Sequence, residues 1–248
     1  MLEDHKKQEN STPPKRRRVA FFGGSFDPPH QGHLAVATAA RQALDLDEVL
    51  FAPVGRQPLK PSVETPFDDR LAMTKLAIAD YPGFEISLVD RPQPGQAPNY
   101  TIDSLETLRR KMPVTTDLYC LMGADSLLSL HLWHRAAEIP FVATVIVASR
   151  PGESLDELAR LLPEGLSLEP PLSEFDPEKN LLGAHSGCLH TYMLRGTSGK
   201  RTPLHLLAGV HVDIRATDLR ASVVHNASAE CLVPAAVQEY IRRHELYR

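Results

Sequence analysis

The chain has 248 residues, a formal net charge of −4 and an apolar content of 42%. This length allows one large α/β domain or two small ones, and the composition excludes a chain that is disordered throughout. No apolar run reaches the roughly 18–20 residues that a membrane helix requires, and the negative net charge argues against bulk binding to nucleic acid.

The first 18 residues are polar and end in a basic run, Lys15 to Arg18. A segment without an apolar stretch is not a secretory signal peptide. The stretch PPKRRRV resembles a nuclear import signal, but a solvated, disordered tail is the simpler interpretation. Three widely spaced cysteines form no CxxC pair, so we expect a reducing, cytoplasmic location without a disulfide framework.

From residue 19 onward, strand-length apolar runs alternate with segments of helical periodicity. The predicted strands cover residues 19–24, 48–54, 84–89, 117–122, 141–149 and 204–212. The predicted helices cover residues 33–44, 68–80 with Asp68 as N-cap, 101–111, 126–137, 217–226 and 234–246.

This alternation predicts an α/β fold, a Rossmann-like doubly wound parallel sheet flanked by helices. We expect a single domain over residues 19–248 that closes with C-terminal helices, preceded by the tail of residues 1–18. Residues 163–203 contain scattered proline and glycine without a clear period, and we interpret them as an irregular insertion.

The segment after the first strand, GGSFDPPHQGH, carries the clearest chemical signal. Gly23 and Gly24 let a ligand approach the backbone, and His30 and His33 flank Gly32 where a helix begins. A helix N-terminus offers free N–H groups and a partial positive charge, to which two imidazoles add donors. This favours a nucleotide-phosphate site; a His30–His33 metal site and an ordinary capping loop are the alternatives.

The segment IRATDLR predicts a second anion site at a C-terminal helix. Thr217 is a candidate N-cap and Arg220 follows one turn later, so the cap, the helix dipole and a guanidinium would converge. An ordinary capped surface helix is the alternative. Three further cationic side chains could neutralise phosphates or could be ordinary surface charges: Lys60, Arg70 and Arg150.

Two other groups have spacing that resembles a metal site. His131 and His134 lie three residues apart on a predicted helix, and nothing nearby completes a site, so we expect surface or core histidines. His185, Cys188 and His190 lie in the insertion, where a zinc site is the less favoured interpretation.

The segment GGSFDPPHQGH resembles the signature loop of the HxGH nucleotidylyltransferase superfamily, and within it the bacterial nicotinate-nucleotide adenylyltransferases. Further blocks resemble that family in order: FAPVGRQPLKP, FDDRLAMTKLAI, NYTIDSLETLRRK, LMGADSLLSLHLWHRAAEI, VIVASRPG, VDIRATDLRAS and LVPAAVQEYIRRHELYR. They cover most of residues 19–248 apart from the insertion, which is longer than the family's usual connection. Arg215 departs from the family's second motif, which usually has a small serine there.

The resemblance implies transfer of the adenylyl group of ATP to nicotinate mononucleotide, giving deamido-NAD and pyrophosphate, with Mg²⁺ accompanying ATP. It implies catalysis by His30, His33 and Arg220. The implied ATP and phosphate contacts are Gly23, Gly24, Ser25, Phe26, Gly32, Lys60 and Thr217. Alternatives are the same chemistry on nicotinamide mononucleotide or phosphopantetheine, and a non-catalytic nucleotide-binding protein. No nucleic-acid or membrane partner is expected, and a homo-oligomer is left open.

The implied acceptor contacts are Tyr100, Thr101, Gly123, Asp125, Trp133 and Arg150. The single tryptophan, Trp133, would stack on the pyridine ring; a buried core residue is the alternative. Thr101 begins a predicted helix whose free amides suit the nicotinate carboxylate. Asp125 would bind ribose hydroxyls or an outer-shell water, with a helix N-cap as the alternative.

Overall fold

The structure is a computed structural model that describes residues 15–59, 65–93, 95, 98–148, 160–169, 188–210, 219–220 and 232–247. The described strands are β1 (Arg17–Gly24), β2 (Glu48–Pro53), β3 (Phe84–Ile86), β4 (Thr116–Gly123), β5 (Thr144–Ala148), β6 (Leu166–Glu169), β7 (Cys188–Gly196) and β8 (Arg201–Ala208). The described helices are α1 (Gln31–Ala43), α2 (Phe67–Ile78), α3 (Thr101–Lys111), α4 (Ala124–Leu128), α5 (Ile139–Val142) and α6 (Ala235–Arg243). None of these helices is long and apolar enough to cross a membrane.

The described strands form one sheet in the order β3-β2-β1-β4-β5-β8-β7-β6. Strands β1 to β5 and β8 pair in parallel, whereas β7 and β6 are antiparallel additions at one edge. The chain winds outward from β1 to β3 and then from β4 to the other edge, so the winding direction changes between β1 and β4. Ligands of such sheets bind beyond the carboxyl ends of the strands at this point. The predicted doubly wound α/β fold is confirmed, with an antiparallel edge that was not predicted.

Strand β1 is buried on both faces of the sheet. Ala20 and Phe22 belong to a core cluster that includes Leu34 of α1 and residues of α6. Phe21 belongs to a second cluster that includes Leu105 of α3. Successive side chains of a strand point to opposite faces, so one run of apolar residues supplies both layers. The carboxyl end of β1 is thereby held at the middle of the sheet.

Several predicted boundaries between β4 and β5 are wrong. The helix predicted at residues 126–137 is interrupted by two 3₁₀ turns, Leu130–Leu132 and Ala136–Glu138. Between them, Arg135 has a φ of 51°, a left-handed conformation that a continuous helix does not contain. The strand predicted from residue 141 begins at Thr144, because residues 141 and 142 end α5.

The start of α2 and the length of two strands also differ from prediction. Helix α2 begins at Phe67 with Pro66 as N-cap, and Asp68 lies in the first turn, where its charge still favours the helix dipole. The strand predicted at residues 84–89 ends at Ile86. The strand predicted at residues 204–212 is β8, which starts at Arg201.

The interpretation of residues 163–203 as irregular is wrong where these residues are described, because β6, β7 and the start of β8 lie there. A tight turn joins β7 to β8: the Gly199 N–H donates to the Gly196 carbonyl at 2.9 Å, and Gly199 has a φ of 77°. Glycine tolerates this left-handed conformation, so the sequence GTSG is a turn signal. Residues 170–187 lie outside the described residues, as does most of the helix predicted at residues 217–226; residues 219 and 220 are helical.

The basic run is not a disordered tail over its described part. Lys15 Nζ lies 2.7 Å from Asp45 Oδ2, and Arg16 Nε lies 2.9 Å from Asp117 Oδ1. Pairs this exposed contribute little stability. They do place the run at the amino end of β1, which is opposite the edge where ligands of this fold bind. Residues 1–14 lie outside the described residues.

Candidate active site

The turn from β1 into α1 is packed around aromatic rings. A Cβ on Gly23 would lie 2.8 Å from the Phe21 ring, and one on Gly24 would lie 3.1 Å from the Phe26 ring. Phe26 is buried in the left-handed region with a φ of 48°. A side chain at Gly23 would therefore force the Phe21 ring to move, and one at Gly24 would press on the Phe26 ring. The buried Phe26 ring anchors the β1–α1 loop, which we define as residues 25–30.

His30 and His33 form a linked pair at the start of α1. His30 is the N-cap residue, and its backbone N–H donates to Nδ1 of His33 at 3.2 Å. Their ring centroids are 3.7 Å apart. Since a backbone N–H can only donate, Nδ1 of His33 accepts, and the neutral ring carries its proton on Nε2. His33 thus presents an Nε2–H donor.

Both imidazoles are neutral near pH 7. Burial lowers the pKa of His30 to about 4. Burial also lowers the pKa of His33 well below its usual value, and the neighbouring His30 lowers it further. The Nδ1 atom of His30 is buried and has no hydrogen-bond partner in the described part of the chain. An unpaired buried nitrogen costs free energy, which a polar ligand atom would recover.

Arg220 reaches the β1–α1 loop from the C-terminal part of the chain. Its Nη1 donates to the backbone oxygen of Asp27 at 2.9 Å. The structure therefore brings His30, His33 and Arg220 to one loop. Thr217 lies outside the described residues, as does Arg215.

Arg70 is neither a surface charge nor a free phosphate ligand, so both interpretations are wrong. Its side chain is 1% exposed and donates to the backbone oxygens of Ser25 at 2.7 Å, Val54 at 2.8 Å and Thr65 at 3.1 Å. Burial lowers the pKa of its guanidinium. Arg70 cross-links the β1–α1 loop to both ends of the β2–α2 connection. Lys60 lies outside the described residues.

Two of the predicted acceptor residues, Tyr100 and Thr101, lie at the start of α3. Tyr100 is the N-cap residue before Thr101, and its ring centroid lies 4.6 Å from that of His134. Trp133 is half-buried, and its Nε1 lies 3.4 Å from Ser129 Oγ. Tyr100 and Trp133 both pack against the same core cluster. A half-buried indole keeps part of its surface for a ligand while the rest is fixed by packing.

Gly123 and Asp125 lie where β4 meets α4. Gly123 is the N-cap of α4, and a Cβ there would meet no atom within 4 Å. Asp125 is exposed in the first turn of α4, so the N-cap alternative for Asp125 is wrong. Because β4 pairs in parallel with β1, Gly123 lies at the same sheet edge as the β1–α1 loop. Arg150 lies outside the described residues.

The segment after β2 joins the β1–α1 loop to the residues just before α3. Gln57 Nε2 donates to Ser25 Oγ at 2.7 Å. Arg56 and Asn99 exchange two hydrogen bonds of 2.9 Å, one of them to the Asn99 side chain. Sequence reasoning missed Gln57, and no local pattern marks it, because the contact depends on the parallel pairing of β1 with β2.

Two other groups contain histidines whose spacing resembles that of a metal site. His131 and His134 are exposed, which confirms the surface interpretation. His190 is half-buried in β7, with its ring centroid 6.4 Å from that of Tyr192. Within the described ranges, no three His, Cys, Asp or Glu side chains are grouped so that they could hold a metal ion. His185 lies outside these ranges.

Asp90 is a buried carboxyl beneath the start of α3 that sequence reasoning missed. It is 4% exposed and accepts a hydrogen bond from the Ser104 hydroxyl, whose oxygen also lies 3.2 Å from the Tyr100 carbonyl oxygen. Burial raises the pKa of Asp90 to about 6, although the Ser104 hydrogen bond acts in the opposite direction. A charged Asp90 therefore costs folding free energy at neutral pH.

We expect Asp90→Asn to stabilise the fold at about pH 8 by about 2–3 kcal/mol and to have little effect at about pH 4. Because its pKa is raised, Asp90 binds a proton more tightly in the native state than in the unfolded state. Its contribution to the free energy of unfolding is therefore present below about pH 4 and is lost as the pH rises to about 6. Urea unfolding of both proteins across this range tests the expectation. Titration of His30 also changes the free energy of unfolding between pH 4 and pH 6. This change is the same in both proteins, so it does not affect the difference between them. A difference that does not change with pH would contradict the assignment.

The comparisons with known proteins agree with this architecture. A model of the cytidylyltransferase-like family matches residues 21–221. Two structures of Plasmodium falciparum nicotinic acid mononucleotide adenylyltransferase, complexed with NaAD and with APC, superpose with a TM-score of 0.64 at 15% identity. Each alignment covers 93% of this chain and 97% of that chain. Similarity at this identity establishes the fold.

Relatives of higher identity match over nearly their whole length. A protein from Pelobacter propionicus named "Probable nicotinate-nucleotide adenylyltransferase" is 34% identical over 231 residues. One of the same name from Roseiflexus sp. (strain RS-1) is 37% identical over 231 residues. Both alignments cover 93% of this chain and 98% of the relative. The chain therefore belongs to the cytidylyltransferase-like family, among the nicotinate-nucleotide adenylyltransferases.

Proposed function

We infer that this chain transfers the adenylyl group of ATP to nicotinate mononucleotide, releasing pyrophosphate and deamido-NAD. The observation that carries this inference is the pair of neutral imidazoles at the start of α1, beyond the carboxyl end of β1, with Arg220 bound to the loop that leads into them. Both relatives that match over 98% of their length are named "Probable nicotinate-nucleotide adenylyltransferase".

The reaction needs positioning and charge neutralisation. The 5′-phosphate of nicotinate mononucleotide is already an anion at neutral pH, since the second pKa of a phosphate monoester is about 6. Its oxygen forms a bond to the α-phosphorus of ATP while the bond from that phosphorus to the bridging oxygen breaks, and pyrophosphate leaves with the electron pair. No general base and no covalent enzyme intermediate are required.

We assign each hydrogen-bond donor of the site to the phosphate oxygens on which negative charge develops during transfer. His30 and His33 would donate to the oxygens of the α-phosphate, and Nε2–H of His33 is available because its Nδ1 accepts from His30. Arg220, held against the loop by Asp27, would neutralise the β- and γ-phosphates.

Mg²⁺ would enter with ATP. The described site offers imidazole and guanidinium donors and no cluster of acidic ligands, so phosphate oxygens and water would hold the ion. Its chemistry would be to neutralise the phosphate oxygens. Asp125, exposed in the first turn of α4, would bind ribose hydroxyls or a water of the ion's outer shell.

We place the pyridine ring against Trp133 and its carboxylate at the start of α3. The N-terminal amides that precede the helical hydrogen bonds would donate to the carboxylate, and a bond of this type contributes about 1.5–3 kcal/mol. This predicts a preference of roughly 10- to 150-fold for nicotinate over nicotinamide mononucleotide.

The test is pyrophosphate release from MgATP with nicotinate mononucleotide, nicotinamide mononucleotide and phosphopantetheine in separate reactions. We expect fast release with the nicotinate compound. Equal release with the nicotinamide compound would overturn the carboxylate assignment, and release with phosphopantetheine alone would overturn the Trp133 assignment. A folded protein that binds ATP and releases no pyrophosphate with any acceptor would overturn the proposed activity.

A further inference from the structure

The side chain of Tyr247, after α6, contacts the β1–α1 loop. The Tyr247 hydroxyl donates to Asp27 Oδ1 at 2.5 Å, although 220 residues separate them. Asp27 is 4% exposed, so this carboxylate has little access to water. Burial and the hydrogen bond to Asp27 raise the pKa of Tyr247, which keeps the phenol protonated as a donor.

The backbone after α6 is shaped to deliver this side chain. The Leu246 N–H donates to the Ile241 carbonyl at 3.1 Å, and the Glu245 N–H lies 3.4 Å from the Arg242 carbonyl oxygen. This is a Schellman ending, with Glu245 at the position where glycine is usual, at a φ of 54°. Tyr247 also has a left-handed φ of 65°. Non-glycine residues adopt such angles only where surrounding contacts impose them.

The contacts that impose this conformation lie on both sides of Tyr247. Leu246 and Tyr247 pack against the core cluster beside α1. At the other end, the Tyr247 hydroxyl holds the side chain of Asp27 while Arg220 holds its backbone oxygen. Asp27 is thus fixed twice from the C-terminal part of the chain, three residues before the candidate catalytic His30.

We propose that Tyr247 is a positioning residue that, through Asp27, holds the β1–α1 loop in the conformation that receives the ATP phosphates. The proposal rests on the proposed adenylyl transfer for its kinetic readout. Without the phenol, the buried Asp27 Oδ1 loses the donor that the structure gives it, and we expect the loop and Arg220 to shift in order to solvate it. Small displacements of catalytic groups lower rates strongly, because transfer depends on alignment.

The matched variants are Tyr247→Phe and Tyr240→Phe. Each removes one hydroxyl and keeps the ring; the Tyr240 hydroxyl donates at 2.8 Å to Asp69, which lies in α2 and outside the β1–α1 loop. We expect Tyr247→Phe to lower kcat/KM for ATP about tenfold or more and to raise KM for ATP, and Tyr240→Phe to change neither. The KM for nicotinate mononucleotide is expected to stay close to that of the unmodified protein in both variants.

Two further measurements separate positioning from general stability. Tyr247→Phe should lower Tm more than Tyr240→Phe, because only the first leaves a buried carboxylate without its donor. Kinetics are therefore measured well below both Tm values, and a loss of kcat/KM that merely follows the unfolded fraction would overturn the proposal. In an Asp27→Asn background, Tyr247→Phe should cause no additional loss; an undiminished loss would overturn the route through Asp27. Mant-ATP binding to each variant gives a readout without turnover, so a protein that lacks adenylyl transfer still tests the contact. Equal affinity for mant-ATP in the two tyrosine variants would overturn the positioning role of Tyr247.

Discussion

Replacing His33 with alanine is expected to lower kcat by roughly 10²–10³-fold, the usual effect of removing one preorganised donor at a developing charge. The physical reason is the neutral ring whose Nδ1 accepts from the His30 N–H, leaving Nε2–H as the donor. Pyrophosphate release at saturating ATP and nicotinate mononucleotide measures the loss. His131→Ala removes an exposed imidazole outside the proposed site and serves as the control.

The His33→Asn variant distinguishes the role of Nδ1 from the role of Nε2–H. An asparagine oxygen can accept from the His30 N–H as Nδ1 does, but the side chain has no counterpart to Nε2–H. We therefore expect His33→Asn to unfold at nearly the same urea concentration as the unmodified protein and to be about as slow as His33→Ala. A folded alanine or asparagine variant that keeps near-normal turnover would exclude His33 from the transfer step.

Arg70→Met is expected to destabilise the protein by about 3–5 kcal/mol, because it leaves three backbone carbonyls without their donor in the interior. Arg70→Lys should recover only part of this loss, since an ammonium is a point donor that cannot span three oxygens as the planar guanidinium does. Urea unfolding followed by circular dichroism measures both. Since Ser25 is one of the three partners, both variants should also lose adenylyl transfer.

The control for Arg70 is Arg91→Met. Arg91 lies 3.6 Å from Asp68 in a pair whose side chains are 54% and 80% exposed, so its removal should cost less than about 1 kcal/mol. If the two methionine variants unfolded at the same urea concentration, the cross-linking role of Arg70 would be wrong. An Arg70→Met protein that fails to accumulate is tested through the milder Arg70→Lys variant.

Local patterns predicted the elements whose signals lie close together along the chain. Helix α3 spans residues 101–111 as predicted, because its apolar spacing and its basic last turn are contained within eleven residues. Strand β1 and the turn into α1 were also predicted, since a short apolar run closed by glycines indicates a buried strand end. The two 3₁₀ turns after α4 were not predicted. The helical pattern of the sequence continues through this segment, but one left-handed residue, Arg135, interrupts the helix.

The sequence by itself determined which chemistry to expect: the order of blocks around His30 and His33, the basic Arg220 near the end and the sheet that would carry them. Only the tertiary structure decided which groups each residue contacts. It buried Arg70, directed Tyr247 to Asp27 and placed Gln57 on Ser25. Patterns of spacing report neighbours one turn or one strand away. These three contacts join residues 32 to 220 positions apart, so they depend on strand pairing and helix packing that no local window contains.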